Sequence, residues 1–394
     1  MTDRYDVVIV GGGIHGVGVA QAAAARGHSV LLLEQTALAH GTSSRSSKLI
    51  HGGLRYLETM QFALVRESLR ERRLLLNLAP ELVRLVSFFV PVYKSTRRHA
   101  WQLRLGLSLY ACLGGMTSDN RFSTVPRGKW DSLDGLDTQD LRAVFCYKDG
   151  QTDDAALTHA VMRFAKTLGA QLALPARFSA AQLEADEVFI EYQINGRVIT
   201  CRARVLVNAA GPWANQVLDN VMPLSPRREV DLVRGTHIVV PGTMKRGIYY
   251  MEAPQDGRAV FVMPRPDGTA LVGTTEAPYE GDPAAVQPTI DEHTYLINVL
   301  AHYFPFYRST EHQTVLSSFA GLRVLPKGPG RAFNRTRETM LVTDREDQPR
   351  LITIYGGKLT TYRATAQKVL QRLAGSLPAS KPLADTRQLP LSPD

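Results

Sequence analysis

The sequence predicts an α/β fold of the Rossmann type, joined to a second domain that is built on an antiparallel β-sheet. Three observations lead to this prediction. Residues 5–34 contain a buried strand, a glycine-rich turn, a helix and a second buried strand, which together form one βαβ unit. Further buried-strand patterns return at 171–174, 205–209 and 351–355. Between the last two, residues 230–275 form short strands separated by Gly and Pro, which indicates an antiparallel sheet.

Length and composition are those of a globular protein with two domains. The chain has 394 residues, of which 44% are hydrophobic and 21% charged. Its formal net charge of +9 is compatible with three kinds of partner: nucleic acid, an anionic membrane surface or a small anionic substrate. No basic run with interleaved aromatic residues and no zinc-ligand spacing is present, so we expect no nucleic-acid partner.

The cysteines and the apolar segments exclude several other classes. Cys112, Cys146 and Cys201 show no CxxC spacing and no neighbouring His cluster, so we predict no metal site and a reduced, intracellular protein. The N-terminus leads directly into a strand, without a signal segment. The apolar stretches at 82–93 and 103–116 are shorter than the ~20 residues of a membrane span. The sequence therefore predicts a cytoplasmic protein.

The glycine-rich turn predicts a nucleotide site. Gly11, Gly13 and Gly16 follow a strand and open a helix, in the GxGxxG spacing that allows a tight turn, close approach of a pyrophosphate and helix–strand packing. Free amides at the helix N-terminus then face the phosphates, next to Ile14 and His15. Glu34 ends the second strand, where its carboxylate is placed to bind ribose hydroxyls, and Gln35 follows it.

Other local signals place the remaining elements. Residues 61–79 predict an amphipathic helix, and Asp153 and Asp154 are predicted to cap another. Asn195-Gly196 predicts a hairpin turn between 189–194 and 198–204. Residues 91–150 show no clear periodicity and are expected to be irregular. The last twenty residues, rich in Pro and Ser, are expected to form a loose tail.

Two later segments favour FAD over NAD as the nucleotide. The segment VLVNAAGPWA (205–214) resembles the second glycine-bearing strand of flavoproteins of the glucose-oxidase/D-amino-acid-oxidase type, and YGGKLTTYRATA (355–366) resembles their final turn beside the flavin. A helix N-terminus there would stabilise negative charge on a reduced flavin. On this resemblance the cofactor-lining residues include Phe178, Ala210, Gly211, Trp213, Gly357, Lys358, Leu359 and Thr360.

Longer motifs resemble one family within this type. TSSRSSKLIHGGLRYLE (42–58), GTHIVVP (235–241), VGTTEAPYEGDP (272–283), FAGLRVLP (319–326) and YGGKLTTYR (355–363) are similar to the respiratory FAD-dependent glycerol-3-phosphate dehydrogenases, and the similarity extends over residues 4–373. The resemblance implies that FAD is lined by Thr42, Ser43, Ser44, Ser47, Lys48, Leu49 and His51. It implies that Arg55 and Arg323 bind the substrate phosphate with Tyr56 beside the first, and that His237 and Lys358 lie near the reacting hydroxyl and the flavin.

The residues themselves suit that chemistry. Hydride removal from a secondary alcohol needs a group that takes the hydroxyl proton, for which histidine is suited, and an anchor for the remote end, for which arginine is suited. The sequence departs from the family in three respects: His15 stands where the family usually has Asn, Pro is displaced to Pro326 in the motif FAGLRVLP, and no helical C-terminal domain like that of most members is expected after residue 373. The last departure concerns oligomer contacts and the route of electrons to a quinone, and leaves the FAD site and the two arginines in place.

The resemblance implies oxidation of sn-glycerol 3-phosphate to dihydroxyacetone phosphate, with electrons passed from FAD to a quinone. An FAD-dependent oxidase or dehydrogenase of a hydroxy acid or amino acid stays open as an alternative, as does a flavin-binding module without turnover. The predicted FAD-binding domain comprises 1–89, 151–229 and 336–374, and the substrate domain comprises 90–150 and 230–335. The oligomeric state is not predicted.

The segment from Lys94 to Trp101 raises the question of membrane contact. Its basic residues and Trp101 precede an apolar run, as in helices that lie in a membrane interface. A buried helix under a basic rim would have the same pattern. The family resemblance implies a peripheral position on the inner face of the cytoplasmic membrane.

Overall fold

A computed structural model describes residues 3–242, 244–328, 335 and 338–392. Its helices and strands, in chain order, are β1 (Asp3–Val10), α1 (Ile14–Ala25), β2 (Val30–Leu33), β3 (Leu49–Ile50), α2 (Phe62–Leu78), β4 (Val83–Tyr93), α3 (Ala100–Leu113), β5 (Ser123–Thr124), β6 (Leu141–Thr152), α4 (Asp154–Thr167), β7 (Gln171–Ala173), β8 (Arg177–Leu183), β9 (Val188–Ile194), β10 (Arg197–Asn208), α5 (Ala214–Leu218), β11 (Val221–Met222), β12 (Val230–Pro241), β13 (Ile248–Glu252), β14 (Ala259–Pro264), β15 (Thr269–Gly273), β16 (Ala277–Tyr279), α6 (Ile290–Tyr303), β17 (Ser317–Pro326), β18 (Met340–Thr343), β19 (Leu351–Tyr355) and α7 (Tyr362–Arg372).

The first sheet has a parallel centre that carries the nucleotide-binding unit. Its strand order is β11-β8-β9-β10-β1-β2-β7, with β19 beside β10 and β18 beside β19. β1 pairs in parallel with both β2 and β10, and β10 pairs in parallel with β19. Helices α1, α4 and α7 bury apolar side chains together against this sheet. The βαβ unit expected from the sequence is therefore present.

The strand β10 joins two kinds of pairing. Its first half pairs antiparallel with β9 through the Asn195-Gly196 turn, in which both residues have positive φ, +49° and +77°. Its second half runs parallel to β1 and β19. The sequence predicted the hairpin and the buried strand at 205–209 as separate elements; they are one continuous strand, because neither half contains a residue that breaks the extended backbone.

The second sheet is mainly antiparallel and has the order β16-β12-β15-β14-β13-β4-β6-β3, with β17 beside β12 and β5 beside β6. One pair, β13 with β4, is parallel. Helix α6 packs on one face, and α2 and α3 contribute to the core on the other. The predicted α/β fold with a second, antiparallel sheet is confirmed.

The region 91–150 is more regular than the sequence indicated. β4 and β6 form a long antiparallel pair, and α3 lies between them in the chain. The expectation of an irregular segment was wrong because this pairing is non-local, and tertiary context decides it. The domain intervals stay a prediction, but the boundaries at 89/90 and 150/151 fall within β4 and β6.

The C-terminal segment is also ordered by packing, contrary to the loose tail that its composition suggested. The backbone N–H groups of Leu383 and Ala384 donate to the carbonyl of Ala25 at the end of α1. Leu391 is buried in the first core, and its N–H donates to the carbonyl of Leu78. Pro-rich sequence predicts the lack of helix and strand correctly, but not this docking.

Candidate active site

A cleft with a volume of ≈ 500 Å³ lies between the two sheets. It is lined by the glycine turn, the end of β2, the segment after it, the ends of β10 and β19, and residues of β12 and β17. Predicted site residues that line it are Gly11, Gly13, Ile14, His15, Glu34, Gln35, Thr42, Ser43, Ser47, Leu49, His51, Tyr56, Phe178, Ala210, Gly211, Trp213, His237, Arg323, Gly357, Lys358, Leu359 and Thr360.

Four predicted residues do not line the cleft: Gly16, Ser44, Lys48 and Arg55. Gly16 acts by packing, since a Cβ atom there would lie 1.9 Å from the carbonyl oxygen of Gly11. Ser44 donates to the carbonyl of Gly41, 3.3 Å away. Lys48 forms an ion pair with the buried Asp154. Its predicted place beside the cofactor stays a prediction.

The glycine turn leaves its backbone open to the cleft. Gly11 has φ +108°, and a Cβ atom there would lie 2.7 Å from the carbonyl oxygen of Ala209. Gly13 is the N-cap residue of α1 and has no side chain that could cap the helix. The N–H of Ile14 reaches Ser43 Oγ at 2.9 Å. The positive end of the helix therefore faces the cleft, where it favours an anion such as a pyrophosphate.

Glu34 is held in place by the backbone. Its Oε2 accepts from the N–H of Gly12 at 2.7 Å, and its Oε1 accepts from the N–H of Thr36 at 2.8 Å. Each carboxylate oxygen retains a second lone pair for a ligand. The carboxylate is thus fixed at the cleft wall, as binding of ribose hydroxyls requires.

The hydroxyl-rich segment after residue 41 is fastened to Asp154 at the start of α4. The Oδ2 atom of Asp154 accepts from Ser46 N–H at 3.0 Å and from Ser46 Oγ at 2.6 Å, and Lys48 pairs with the other oxygen. Thr42 donates to the carbonyl of Leu322 in β17 at 2.8 Å. These contacts present Ser43 and Ser47 to the cleft. Sequence reasoning treated Asp154 only as a helix cap and missed this contact.

His237, in β12, is a buried residue that lines the cleft. Its Nε2 is 3.0 Å from Ser47 Oγ, and its ring stacks on Phe319 with centroids 5.0 Å apart. The ring lies against Gly273, where a Cβ atom would be 2.1 Å from its Cδ2. Burial, and then the positive charges of Arg323 and Lys48, lower the pKa of His237 to about 3. The imidazole is therefore neutral at physiological pH.

Arg323, in β17, is held at the other wall of the cleft. Its Nη1 lies 2.5 Å from Glu276 Oε1, and its Nη2 donates to Thr274 Oγ1 at 3.1 Å and to the carbonyl of Thr275 at 2.9 Å. Glu276 and Thr274 lie in the motif VGTTEAPYEGDP, but the sequence argument assigned neither of them a role. They are functional candidates that only the three-dimensional contacts reveal.

Two positively charged side chains lie against the ring of Tyr56. The Nζ of Lys358 lies 4.1 Å from the centroid of this ring and 3.2 Å from Ser68 Oγ. The guanidinium carbon of Arg55 lies 5.2 Å from the same ring, outside the cleft lining. Such cation–π contacts orient the cations relative to the ring.

The turn after β19 closes the cleft against the glycine turn. Gly357 has φ +96°, and a Cβ atom there would be 2.3 Å from Nε2 of His15. Burial lowers the pKa of His15 to about 4, so this ring is also neutral at pH 7. Thr360 accepts from the N–H of His51 at 3.1 Å, which ties this turn to the hydroxyl-rich segment.

The residues present fit a dinucleotide cofactor. Glycine backbone without Cβ atoms, a helix N-terminus and a fixed carboxylate are the groups that bind the pyrophosphate and ribose of such a molecule. His15 Nδ1 and His237 Nδ1 are buried polar atoms without a hydrogen-bond partner in the described part of the chain, and both residues line the cleft. Among the residues that the structure describes, no cluster of three or more His, Cys, Asp or Glu side chains is placed to hold a metal ion.

Fold and site together define a flavoprotein. Residues 6–369 match the family described as FAD dependent oxidoreductase, and the chain belongs to this family. Over 382 residues it is 38% identical to D-erythritol 1-phosphate dehydrogenase of Brucella abortus, covering 95% of this chain and 75% of that protein. Over 376 residues it is 37% identical to aerobic glycerol-3-phosphate dehydrogenase of Escherichia coli, covering 94% and 74%. The predicted family resemblance and the predicted FAD cofactor are confirmed.

A solved structure is similar to this chain over nearly its whole length. The glycerol-3-phosphate dehydrogenase of Bacillus halodurans complexed with FAD superposes with a TM-score of 0.73 at 27% identity, covering 98% of this chain and 68% of that one. The chain therefore spans about three quarters or less of each of these relatives. Both the family and the fold are shown over nearly its whole length.

Proposed function

We propose that the protein oxidises sn-glycerol 3-phosphate to dihydroxyacetone phosphate, with FAD as hydride acceptor and a quinone as the final acceptor. The single observation that carries the proposal is that one cleft combines a nucleotide-binding turn with a buried neutral histidine and a fixed arginine. The relatives with the names given above support the same substrate class. Bound FAD would supply the two-electron acceptor.

The side chains of His237 and Arg323 are suited to proton removal and to substrate binding. The neutral imidazole of His237 is the group suited to take the proton of the substrate hydroxyl. Arg323 is suited to bind the phosphate, because its guanidinium is permanently charged and presents N–H donors in a fixed plane. Arg323 also lowers the pKa of His237. A bound phosphate dianion offsets that charge and so raises the basicity of His237 when substrate is present.

A second candidate substrate is a longer polyol phosphate. The relative from Brucella abortus named for D-erythritol 1-phosphate is as similar to this chain as the relative named for glycerol 3-phosphate. Both substrates carry a phosphate and a secondary hydroxyl, so the same histidine and arginine serve either. An α-hydroxy acid or α-amino acid, in which a carboxylate replaces the phosphate, is the rival class.

We further propose a peripheral position on the inner face of the cytoplasmic membrane. Among the described residues, no helix combines the length and the apolar character needed to cross a bilayer. In α3, Trp101 and Leu105 occupy one face, four residues apart, and are 66% and 64% exposed. This exposure favours an interfacial helix over the buried alternative, because apolar groups of this size gain from contact with lipid.

The test is reduction of the bound flavin under anaerobic conditions. Purified protein is mixed with sn-glycerol 3-phosphate, D-erythritol 1-phosphate, glycerol, lactate and D-alanine in turn, and loss of the flavin absorbance is followed. Reduction by a phosphorylated polyol, but not by its unphosphorylated form, supports the proposal. Reduction by lactate or D-alanine alone contradicts it. Reoxidation of the reduced protein by a short-chain quinone, compared with dioxygen, then tests the acceptor.

A further inference from the structure

We propose that Glu276 is a positioning residue that orients the Arg323 guanidinium for the substrate phosphate. The inference rests on the proposed function and goes beyond it, because Glu276 does not line the cleft. Glu276 instead lines a second, larger recess of ≈ 1230 Å³, and its carboxylate contacts Arg323 from there.

Glu276 is itself firmly held. Its side chain is 7% exposed; Oε1 contacts Arg323, and Oε2 lies 3.9 Å from Nη1 of Arg258. Arg258 also donates from Nη1 to the backbone carbonyl of Glu276 at 3.0 Å, and its Nε lies 2.7 Å from Asp256 Oδ2. Glu276 is therefore fixed through both its backbone and its carboxylate.

Nη2, the other terminal nitrogen of Arg323, is held by Thr274 and Thr275, which precede Glu276 in the chain. Thr275, whose carbonyl accepts from Nη2, is anchored by the N–H of Thr236, which reaches its Oγ1 at 2.9 Å. The same Oγ1 donates to Glu292 Oε1 at 2.7 Å. At Gly235 a Cβ atom would lie 2.4 Å from Nη2, so the guanidinium packs directly against the backbone of Gly235. Both terminal nitrogens of Arg323 are thus held before any substrate binds.

Two opposing effects follow for phosphate binding. Fixing the plane of the guanidinium removes an ordering cost that the phosphate would otherwise bear, which strengthens binding. The negative charge of Glu276 cancels part of the positive charge of Arg323, which weakens binding. Orientation outweighs charge, because a hydrogen bond from the guanidinium to a phosphate depends on the direction of its N–H groups, whereas a carboxylate that is already paired with two arginines contributes little net field.

The effects are separated by three variants. Glu276→Ala removes both the contact with Arg323 and the negative charge. Glu276→Gln removes the charge but keeps an oxygen that accepts from Nη1. Glu280→Ala is the control, because it removes the same charge from an exposed position four residues further along the chain. For sn-glycerol 3-phosphate we expect Glu276→Ala to raise KM about 10-fold, with kcat changed by less than about 3-fold. Glu276→Gln should recover most of this loss, and Glu280→Ala should leave KM within about 2-fold.

Two further readouts distinguish orientation from general damage. The specificity constant for glycerol, which lacks the phosphate, should be the same in Glu276→Ala and in the wild type. Isothermal titration of each holoprotein with inorganic phosphate should give about 10-fold weaker binding for Glu276→Ala. The flavin content and the melting temperature are measured first for every variant.

A fall in KM or an unchanged KM in Glu276→Ala would overturn the inference, as would equal losses with glycerol and glycerol 3-phosphate. If no phosphorylated polyol reduces the wild-type flavin, the proposed function fails. The phosphate titration then decides by itself whether Glu276 orients an anion-binding arginine, since unaltered phosphate binding in Glu276→Ala refutes that role.

Discussion

The hydroxyl oxygen of Ser47 lies 3.0 Å from Nε2 of His237, across the cleft between the two sheets. The contact joins the segment expected to line the cofactor to the residue expected to take the proton. Because the pKa of His237 is lowered to about 3, its ring is neutral, and a neutral imidazole carries its single N–H on one of two nitrogens. Ser47 is therefore placed to fix the orientation of this ring.

Replacement of Ser47 by alanine should lower kcat for the phosphorylated polyol about 5-fold, since it removes one neutral hydrogen bond from the ring. Ser47→Thr keeps the hydroxyl and should retain most of the activity. The measurement is steady-state turnover per bound flavin. Equal loss in both variants would show that the side chain matters for space rather than for its hydrogen bond.

Replacement of Arg323 by alanine should lower kcat/KM for glycerol 3-phosphate by roughly 10- to 150-fold, because a charge-assisted hydrogen bond contributes about 1.5–3 kcal/mol. Arg323→Lys should recover only part of the loss, since an ammonium group cannot make two parallel contacts. Oxidation of unphosphorylated glycerol serves as the internal control and should not fall, because it makes no use of the phosphate contact. Proportional losses on both substrates would assign Arg323 to the fold or to the flavin instead.

Introduction of valine at Gly13 should abolish retention of FAD. A Cβ atom there already lies 3.2 Å from Ser43 Oγ, and the larger side chain would fill the approach of the pyrophosphate to the helix N-terminus. The flavin released on denaturation is quantified against protein. Gly128→Ala, where a Cβ atom meets nothing within 4 Å, is the matched control. A yellow Gly13→Val protein with full FAD content would refute the predicted site.

His15 should make stability depend on pH. Its pKa is about 4 in the folded protein against 6.5 for the free side chain, so between these values the unfolded chain binds the proton that the folded chain does not. The free energy of unfolding therefore falls as pH drops from 6.5 to 4, by roughly 3 kcal/mol for this group, and is independent of His15 above that window. His15→Asn, the residue usual in the family, should flatten this slope in urea denaturation at fixed FAD concentration. An unchanged slope would mean that the ring does not titrate as its burial indicates.

Membrane binding should depend on the exposed face of α3. Trp101→Ser with Leu105→Ser should weaken binding to anionic vesicles about 10-fold or more, because each side chain loses apolar contact with lipid. Ile290→Ser, at an 82% exposed apolar position in α6, is the control. The measurement is sedimentation with the vesicles. Equal binding by the α3 variant and the wild type would contradict the interfacial helix.

Among the basic residues before α3, only those that are exposed are suited to charge reversal. Arg98 is held by Glu58 at 2.5 Å and by Glu252 at 2.6 Å, so reversing its charge would disturb the fold. Lys94 and Arg97 are exposed, and their reversal should weaken vesicle binding by about 1 kcal/mol each. Added salt should weaken binding of the wild type further.

Local sequence was sufficient for much of the fold and for part of the candidate site. The glycine turn, the Asn195-Gly196 hairpin and the Asp153 cap, whose side chain accepts from Ala156 N–H at 3.0 Å, depend on a few neighbouring residues. Spacing alone therefore predicted them correctly. The position of His237 in the cleft agrees with the motif that contains it.

Contacts between distant segments were not predictable in this way. The pairing of β4 with β6, the ion pair of Lys48 with Asp154 and the contact of Glu276 with Arg323 join residues between 47 and about 106 positions apart. A charged residue in a loop has the same sequence pattern whether it faces solvent, a cofactor or a buried partner. Only the packing of the two sheets decides among these.

The parallel pairing of β10 with β1 and β19 also determines when the flavin site can form during synthesis. Of these elements β1 is synthesised first, its neighbour β10 follows some two hundred residues later, and the turn at 356–360 that closes the cleft follows only after β19. This order implies that the nascent chain cannot retain the flavin before that turn has been synthesised. Fragments that stop before β19 should accordingly be colourless and prone to aggregation, whatever the concentration of FAD around them.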